Sequence, residues 1–180
     1  SLVIIRPTVI FGKGNRGNVY NLFNQIASRR FLMIGDGKNI KSMAYVENVS
    51  AFLEHTLNSS PGIHIYNYID KPDYDMNTLV CLVRNTLFDK NNVGVRLPAF
   101  IGLFLGYLCD TISKLTGFSL PISRIRVKKF ISTSQFSSSI SKNDFVAPYS
   151  IKEGLIRTIE SEFWKWEFHT SLLNIKSFIL

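Results

Sequence analysis

Apolar and polar positions along the first 90 residues alternate between a strand-like and a helix-like period. Short apolar runs predict strands at 2–6 continued by 8–11, at 31–34, at 43–46 and at 63–68. Apolar residues at helical spacing predict helices at 18–27, 47–57 and 76–87, the first with Asn18 as its N-cap. Turns are predicted at 12–14 and at Pro72-Asp73, and a polar loop at 38–42. Because strands alternate with helices, the pattern predicts the α/β class.

The pattern changes after Gly94. An apolar run, Ala99–Cys109, is interrupted by Gly102 and Gly106, and it is shorter than the roughly 20 residues that a membrane-spanning helix needs. Burial in a core is the favoured interpretation because short apolar helices usually pack. Contact with a membrane or a polyprenyl chain stays open as the alternative.

The last predicted element is an amphipathic helix at 151–163, which follows a serine-rich loop at 132–141. Ser150 and Glu153 match a capping box at its start. The chain is therefore divided into a folded region, 1–163, and a tail, 164–180, that receives no assignment.

The first residues, Ser1–Pro7, form an apolar run without the basic segment and cleavage site of a secretory signal. They predict a buried strand. Since such a strand needs neighbours on both sides, we expect the chain to begin inside a larger fold.

Composition favours one folded domain with an anionic partner. Of 180 residues, 46% are hydrophobic and the net charge is +8, which suits a phosphorylated small molecule, an acidic membrane surface or nucleic acid. Cys81 and Cys109 lie far apart without metal-ligand spacing, so both are predicted to be reduced core residues of a cytoplasmic protein. The three histidines also lack such spacing, and no metal site is predicted.

Four motifs follow one another in a fixed order: Arg6–Gly12, Arg16-Gly17-Asn18, Gly35–Lys41 and Tyr45–Val49. In this order and spacing they resemble the second half of the extended short-chain dehydrogenase/reductases, a family of sugar-nucleotide epimerases and dehydratases. The resemblance implies the C-terminal portion of a Rossmann-like fold with its small substrate-binding subdomain.

Longer strings at 6–12, 15–22, 41–46 and 126–130 are most similar to one branch of that family, the N-acetylglucosaminyl-diphospho-undecaprenol 4-epimerases of bacterial O-antigen assembly. The resemblance covers roughly residues 1–163 and implies that they are the sheet edge and substrate-binding region of such an epimerase. This branch implies transient oxidation of the sugar by NAD and a polyprenyl-linked diphospho-sugar substrate. It also implies peripheral contact with the inner face of the bacterial inner membrane and a homodimer of the full-length parent.

The resemblance places Pro7 and Thr8 beside the nicotinamide, although a plain buried strand with a proline turn is the alternative. Arg16 and Asn18 are implied diphosphate ligands, because a helix N-terminus and a guanidinium both favour phosphate; a simple cap with a solvated arginine is the alternative. Val9 stands where nucleotide-sugar enzymes of the family often have an asparagine that contacts the diphosphate.

Two further cations complete the implied site. Lys41 stands where the family usually has an arginine that grips the diphosphate, and a lysine keeps the charge while losing the bidentate geometry; a surface lysine is the alternative. Arg126, in the basic run 124–129, is implied to be the C-terminal diphosphate ligand, with its neighbours facing solvent or lipid headgroups.

Two motifs of the family are missing. The sequence has no Gly-x-x-Gly-x-x-Gly, and no tyrosine is followed four residues later by lysine. Gly12, Gly14 and Gly17 spell a Gly-x-Gly-x-x-Gly, but the resemblance assigns them to the substrate loop. We therefore expect a truncated epimerase, inactive alone, as either a fragment or the product of a disrupted gene.

Three other functions stay open. They are a nucleotide-sugar epimerase or 4,6-dehydratase of the same fold, a non-catalytic module that binds anionic lipid or diphosphate, and, least favoured, nucleic-acid binding. The last lacks a recognised motif and exposed aromatics among the basic residues, so no nucleic-acid partner is predicted.

Overall fold

The computed structural model describes residues 1–117, 123–140 and 144–163. Strands and helices alternate over most of the chain, which confirms the predicted α/β class. The strands are β1 (Leu2–Pro7), β2 (Val9–Phe11), β3 (Met33–Ile34), β4 (Ile40–Tyr45), β5 (Ile63–Tyr68), β6 (Asp70–Asp75) and β7 (Arg96–Leu97). The helices are α1 (Asn18–Ala27), α2 (Val46–Thr56), α3 (Met76–Phe88), α4 (Ala99–Thr116), α5 (Arg124–Ile131) and α6 (Ile151–Phe163).

A three-stranded sheet in the order β2-β4-β6 lies at the centre, with β2 parallel and β6 antiparallel to β4. The central strand is buried on both faces. Met43 and Tyr45 point into a core made with α1, α3 and α6, while Ala44 points into a second core with Phe52 of α2. This alternation follows from the two-residue period of a strand.

The apolar run at the start of the chain forms two strands rather than one. β1 pairs in parallel with β5, and the chain then breaks at Thr8 so that β2 pairs with β4 instead. Within the described part of the chain, β1 has β5 as its single strand neighbour. Leu2 and Ile63 consequently remain 53% and 73% exposed.

The third region consists of the short β3–β7 pair and the α4–α5 pair. Helix α4 packs on α5, and its only buried residues are Gly102 and Gly106. The prediction that Ala99–Cys109 is buried in a core is therefore wrong within this chain. Among the described residues, α4 is the one helix that is long and apolar enough to cross a membrane by length and composition; it has 18 residues, because it continues beyond Cys109 to Thr116.

Several local predictions are corrected by pairing between strands. Pro72 and Asp73, predicted as a turn, lie within β6, and most of the predicted polar loop at 38–42 belongs to β4. Ser150 does accept the backbone N–H of Glu153 at 3.2 Å, as the capping box predicts. The tail at 164–180 lies outside the described residues.

Candidate functional site

The loop between β2 and α1 carries the first predicted substrate ligands. Asn18 is the first residue of α1 rather than its cap; Gly17 is the cap residue and makes no side-chain capping bond. The loop is instead shaped by Asn15, whose amide nitrogen donates to the Ile10 carbonyl at 3.2 Å and whose oxygen accepts the Gly17 N–H at 2.8 Å. Asn18 thus offers the first turn of α1, not a capping side chain.

Arg16 is held by a carboxylate that sequence reasoning did not predict. Its guanidinium contacts Glu162 of α6 at 2.6 Å and lies 4.2 Å from the centre of the Tyr20 ring. The same carboxylate accepts the backbone N–H of Gly14 at 2.7 Å. This N–H donation, and then the charge of Arg16, lower the pKa of Glu162. The loop therefore already binds one anionic group.

Lys41 and Arg126 are associated with a different helix, α5. The Lys41 ammonium donates to the carbonyls of Lys129 and Ser132, at 3.1 and 2.6 Å, where α5 ends. Burial lowers the pKa of Lys41. Arg126 is exposed on the same helix, and its backbone N–H donates to the Ser123 capping hydroxyl at 3.2 Å. The structure thus brings Lys41 to the helix of Arg126 and places Arg16 against α6.

Two residues that sequence reasoning missed fix the Gly35-Asp36-Gly37 loop. Arg96 donates to the Gly35 and Asp36 carbonyls, and its second nitrogen donates to the Asn77 side-chain oxygen at 2.8 Å. The Asn77 amide donates to the Asp36 carbonyl at 2.9 Å. A Cβ at Gly37 would lie 2.2 Å from that Asn77 oxygen, so a side chain there would displace Asn77.

A buried polar network explains the Tyr45–Val49 motif. The Asp70 carboxylate accepts the Tyr45 backbone N–H at 2.7 Å, the Asn48 amide at 3.1 Å and the Tyr68 hydroxyl at 3.0 Å. Asn48 also exchanges hydrogen bonds with the backbone of Tyr149, at 2.8 and 3.1 Å. Burial raises the pKa of Asp70, although all three donors act against it. Asn48 therefore joins α2, β6 and the segment before α6.

The environment of the Tyr45 hydroxyl does not prepare it to act as a base. Tyr45 lines an open cleft of about 330 Å³ together with Lys13 and Arg157, and its hydroxyl donates to Glu47 at 2.8 Å. Burial, and then this hydrogen bond, raise the pKa of Tyr45 to about 12. A catalytic base needs a pKa near the working pH, so this environment opposes proton abstraction by Tyr45.

Within the part of the chain that the structure describes, the residues do not build a dinucleotide site by themselves. Pro7 is exposed at the end of β1, and the Thr8 hydroxyl is buried without a hydrogen-bond partner in the described part, which suits a position against a further group. The Gly-x-Gly-x-x-Gly string at Gly12, Gly14 and Gly17 does not offer a site for the pyrophosphate of NAD, because the Gly14 N–H already donates to the Glu162 carboxylate. Residues 1–117, 123–140 and 144–163 also contain no cluster suited to a metal ion.

The chain is similar to one curated protein over most of its length. It is 50% identical over 165 residues to N-acetyl-α-D-glucosaminyl-diphospho-ditrans,octacis-undecaprenol 4-epimerase of Escherichia coli O157:H7. The match covers 91% of this chain and 50% of the relative. The chain therefore spans about half the length of the curated relative it matches. No family model matches the chain.

Solved structures of sugar epimerases share the fold. UDP-glucose 4-epimerase of Thermotoga maritima, solved with UDP-glucose, has a TM-score of 0.58 at 17% identity and matches 94% of this chain and 46% of its own. UDP-glucuronic acid 4-epimerase of Bacillus cereus, solved with NAD, has a TM-score of 0.56 at 13% identity and matches 91% and 45%. At identities this low, the likeness shows only that this chain shares the Rossmann-like fold of these epimerases.

Proposed function

Because this chain belongs to the extended short-chain dehydrogenase/reductase family of NAD-dependent epimerases and dehydratases, we propose that it is the substrate-binding half of a sugar 4-epimerase. The substrate is a diphospho-linked N-acetylhexosamine, namely undecaprenyl-diphosphate-linked GlcNAc or GalNAc in O-antigen biosynthesis. The observation that carries this proposal is the 50% identity over 91% of the chain to an undecaprenol-linked 4-epimerase. The region 1–163 is the functional unit, and it is inactive alone.

In this proposal the chain contributes charge and orientation rather than catalysis. Lys41 and Arg126 on the α5 side, and Arg16 with the first turn of α1 at Asn18, neutralise the diphosphate. Because Arg16 is held by Glu162, the diphosphate shares or replaces that carboxylate. Pro7 and Thr8 lie next to the nicotinamide of NAD once the rest of the enzyme supplies the pyrophosphate site.

The choice of a lipid-linked over a nucleotide-linked substrate is supported by two features. Val9 replaces the asparagine that nucleotide-sugar relatives use on the diphosphate, so one ligand of that site is missing. The curated relative that is 50% identical to this chain is named as an enzyme of an undecaprenol-linked sugar. We further propose that the enzyme acts in the cytoplasm, peripheral to the inner face of the inner membrane where such a substrate lies, and that the full-length parent is a homodimer.

The first test is calorimetric binding to the 180-residue chain, with a short-chain polyprenyl-diphospho-GlcNAc and UDP-GlcNAc compared side by side. We expect the polyprenyl ligand to bind at least about tenfold more tightly, a difference of about 1.4 kcal/mol, and no turnover when NAD is added. Equal or tighter binding of UDP-GlcNAc would favour the nucleotide-sugar epimerase. Turnover by the chain alone would contradict its proposed inactivity.

Substitutions then test the assigned cations. Arg126→Ala and Lys41→Met should each weaken polyprenyl-diphospho-GlcNAc binding by about tenfold, because a charge-assisted hydrogen bond contributes about 1.5–3 kcal/mol. Arg30→Ala, an equal loss of charge at an exposed position after α1, is the matched control and should leave the affinity unchanged. Binding of inorganic diphosphate with the same affinity as the sugar ligand would favour the non-catalytic module.

A further inference from the structure

Helix α4 exposes its large apolar residues and buries its small ones. Its exposed stripe has helical spacing, with Phe100 72%, Phe104 60%, Tyr107 57%, Ile112 48% and Leu115 81% exposed. The helix buries Gly102 and Gly106 instead. A helix that packs onto a soluble core does the opposite, since burial of large apolar side chains is what stabilises it.

Gly106 explains why α5 can approach α4 so closely, because a Cβ there would lie 2.8 Å from the Arg124 backbone nitrogen. Gly102 makes room mainly for Ile34 of β3, which a Cβ would meet at 2.5 Å, and it lies in ordinary contact range of Val127 of α5, at 3.5 Å. These contacts show that the two helices run antiparallel and that the face of α4 with the small residues lies against α5. The large residues of α4 are consequently left on the side away from α5, where the described residues place nothing over them.

A dense group of cations lies beside this stripe. Helix α5 exposes Arg124, Arg126, Lys128 and Lys129, and α4 itself exposes Lys114 near its end. In the described part of the chain, the α4–α5 pair carries one carboxylate, Asp110, and it accepts the Arg124 backbone N–H at 3.1 Å. The pair is thus apolar along one helix and strongly basic along its neighbour, which is the composition of an interfacial membrane element.

We propose that the α4–α5 pair is a membrane-docking surface that binds the face of an anionic bilayer, with α4 lying in the plane of the interface and its Phe100–Leu115 stripe inserted among the acyl chains. This deepens the proposed function, since the choice of a lipid rather than a protein partner rests partly on a polyprenyl-linked substrate. Charge complementarity between α5 and anionic headgroups is the independent support.

The same packing argues against a spanning orientation. Helix α4 is about 27 Å long at 1.5 Å per residue, close to the bilayer thickness of about 30 Å. However, α5 packs along the first half of α4, with Arg124 beside Gly106 and Val127 near Gly102, so a spanning α4 would carry Arg124 into the hydrocarbon. Charged residues at that depth are strongly disfavoured, whereas at the interface they contact headgroups.

The test is co-sedimentation of the 180-residue chain with vesicles that contain no sugar lipid. We expect binding to vesicles of equal parts phosphatidylglycerol and phosphatidylcholine, weaker binding to phosphatidylcholine alone, and a loss of affinity as salt is raised. The triple variant Phe100→Ser, Phe104→Ser and Leu115→Ser should bind at least about 1000-fold more weakly, because each large apolar side chain contributes roughly tenfold or more. Lys128→Ala with Lys129→Ala should weaken anionic binding by about 25-fold, because each lost cation contributes about fivefold.

The matched control is Leu53→Ser with Leu57→Ser. Leu53 lies in α2 and Leu57 follows it, and they are 50% and 80% exposed, so the control removes two exposed apolar side chains elsewhere on the surface and should leave vesicle binding unchanged. Circular dichroism checks that each variant is folded. If the triple variant is not folded, Phe104→Ser alone replaces it, with an expected loss of vesicle affinity of about tenfold.

Three outcomes would overturn the proposal. They are no binding to anionic vesicles, equal loss of binding in the α2 control, or a dimer that dissociates in the α4 variant while vesicle binding stays intact. The last would assign the stripe to a second copy of the chain. Because the vesicles carry no substrate, vesicle binding without sugar-ligand binding would contradict the proposed function alone, and the reverse result would contradict the docking surface alone.

Discussion

The core layer formed by α1, α3 and α6 and the helix α4 are both rich in apolar residues, but they place them differently. In the core layer Phe23, Leu155 and Ile159 are completely buried. In α4 the residues of the same types, Phe104 and Leu108, are 60% and 40% exposed. The difference arises because the core helices pack on a three-stranded sheet and on one another, while α4 has α5 as its main partner.

This comparison separates two uses of the same amino acids. Apolar residues that meet two or more neighbouring elements stabilise the fold through burial and close packing. When a helix packs on a neighbour only through its small residues, its large apolar side chains stay exposed and can contact a membrane or another protein. An apolar run in a sequence therefore indicates that its side chains contact something apolar. Whether that is the core of the same chain is decided by how the helices pack.

The largest expected effect compares the same substitution in the two regions. Phe23→Ala in α1 should lower the free energy of unfolding by about 3–5 kcal/mol, because it leaves a cavity in a filled core. Phe104→Ala in α4 should change it by about 0.5 kcal/mol or less. Urea denaturation followed by circular dichroism measures both. A large loss in Phe104→Ala would mean that α4 is part of the core, and the comparison would fail.

A smaller effect is expected where α4 meets α5. Gly106→Ala gains helix propensity but places a methyl group 2.8 Å from the Arg124 backbone, so overpacking should cost about 1–3 kcal/mol locally. Hydrogen exchange is the measurement. Protection of the α5 amides should fall while that of α6 stays unchanged, and equal loss in both helices would show that the two regions unfold together.

The smallest effect concerns the charged edge of the core layer. Because Gly14 and Arg16 lower the pKa of Glu162, this carboxylate contributes stability above its ordinary pKa of 4.5, and that stability is lost as pH falls through the lowered value. Glu162→Gln should cost about 1 kcal/mol or less at neutral pH, since Arg16 is 59% exposed. Urea midpoints of both proteins should converge in acid, and a constant difference would contradict this assignment.

The element types were largely predictable because local period and punctuation determine them. Helices at 18–27, 76–88 and 151–163 match the predicted spans almost residue by residue, since each has a strong apolar period. The strand at 70–75 was missed because its sequence, Asp-Lys-Pro-Asp-Tyr-Asp, has no strand propensity of its own. Antiparallel pairing with β4 makes it a strand, and pairing is not a local property.

The candidate site was predictable only in part. The ordered motifs identified the family, and the curated relative confirms that resemblance. The partners of those motifs came from distant segments, as with Glu162 for Arg16, 146 residues away, and Asp70 for Asn48. A single sequence carries no signal for such pairs, because charged residues of both signs occur throughout the chain and nothing local selects one of them.

The sequence by itself determined the α/β class, the family and which charged and polar groups are present. The apolar period, the ordered motifs and the net charge can all be obtained from the sequence without a structure. Only the tertiary structure decided what each group meets. It turned the large residues of α4 outward because glycines occupy the face toward α5, and it gave Arg16 a carboxylate partner by packing α6 against α1. Contacts between distant segments depend on the relative positions of whole elements, which local periods leave unspecified.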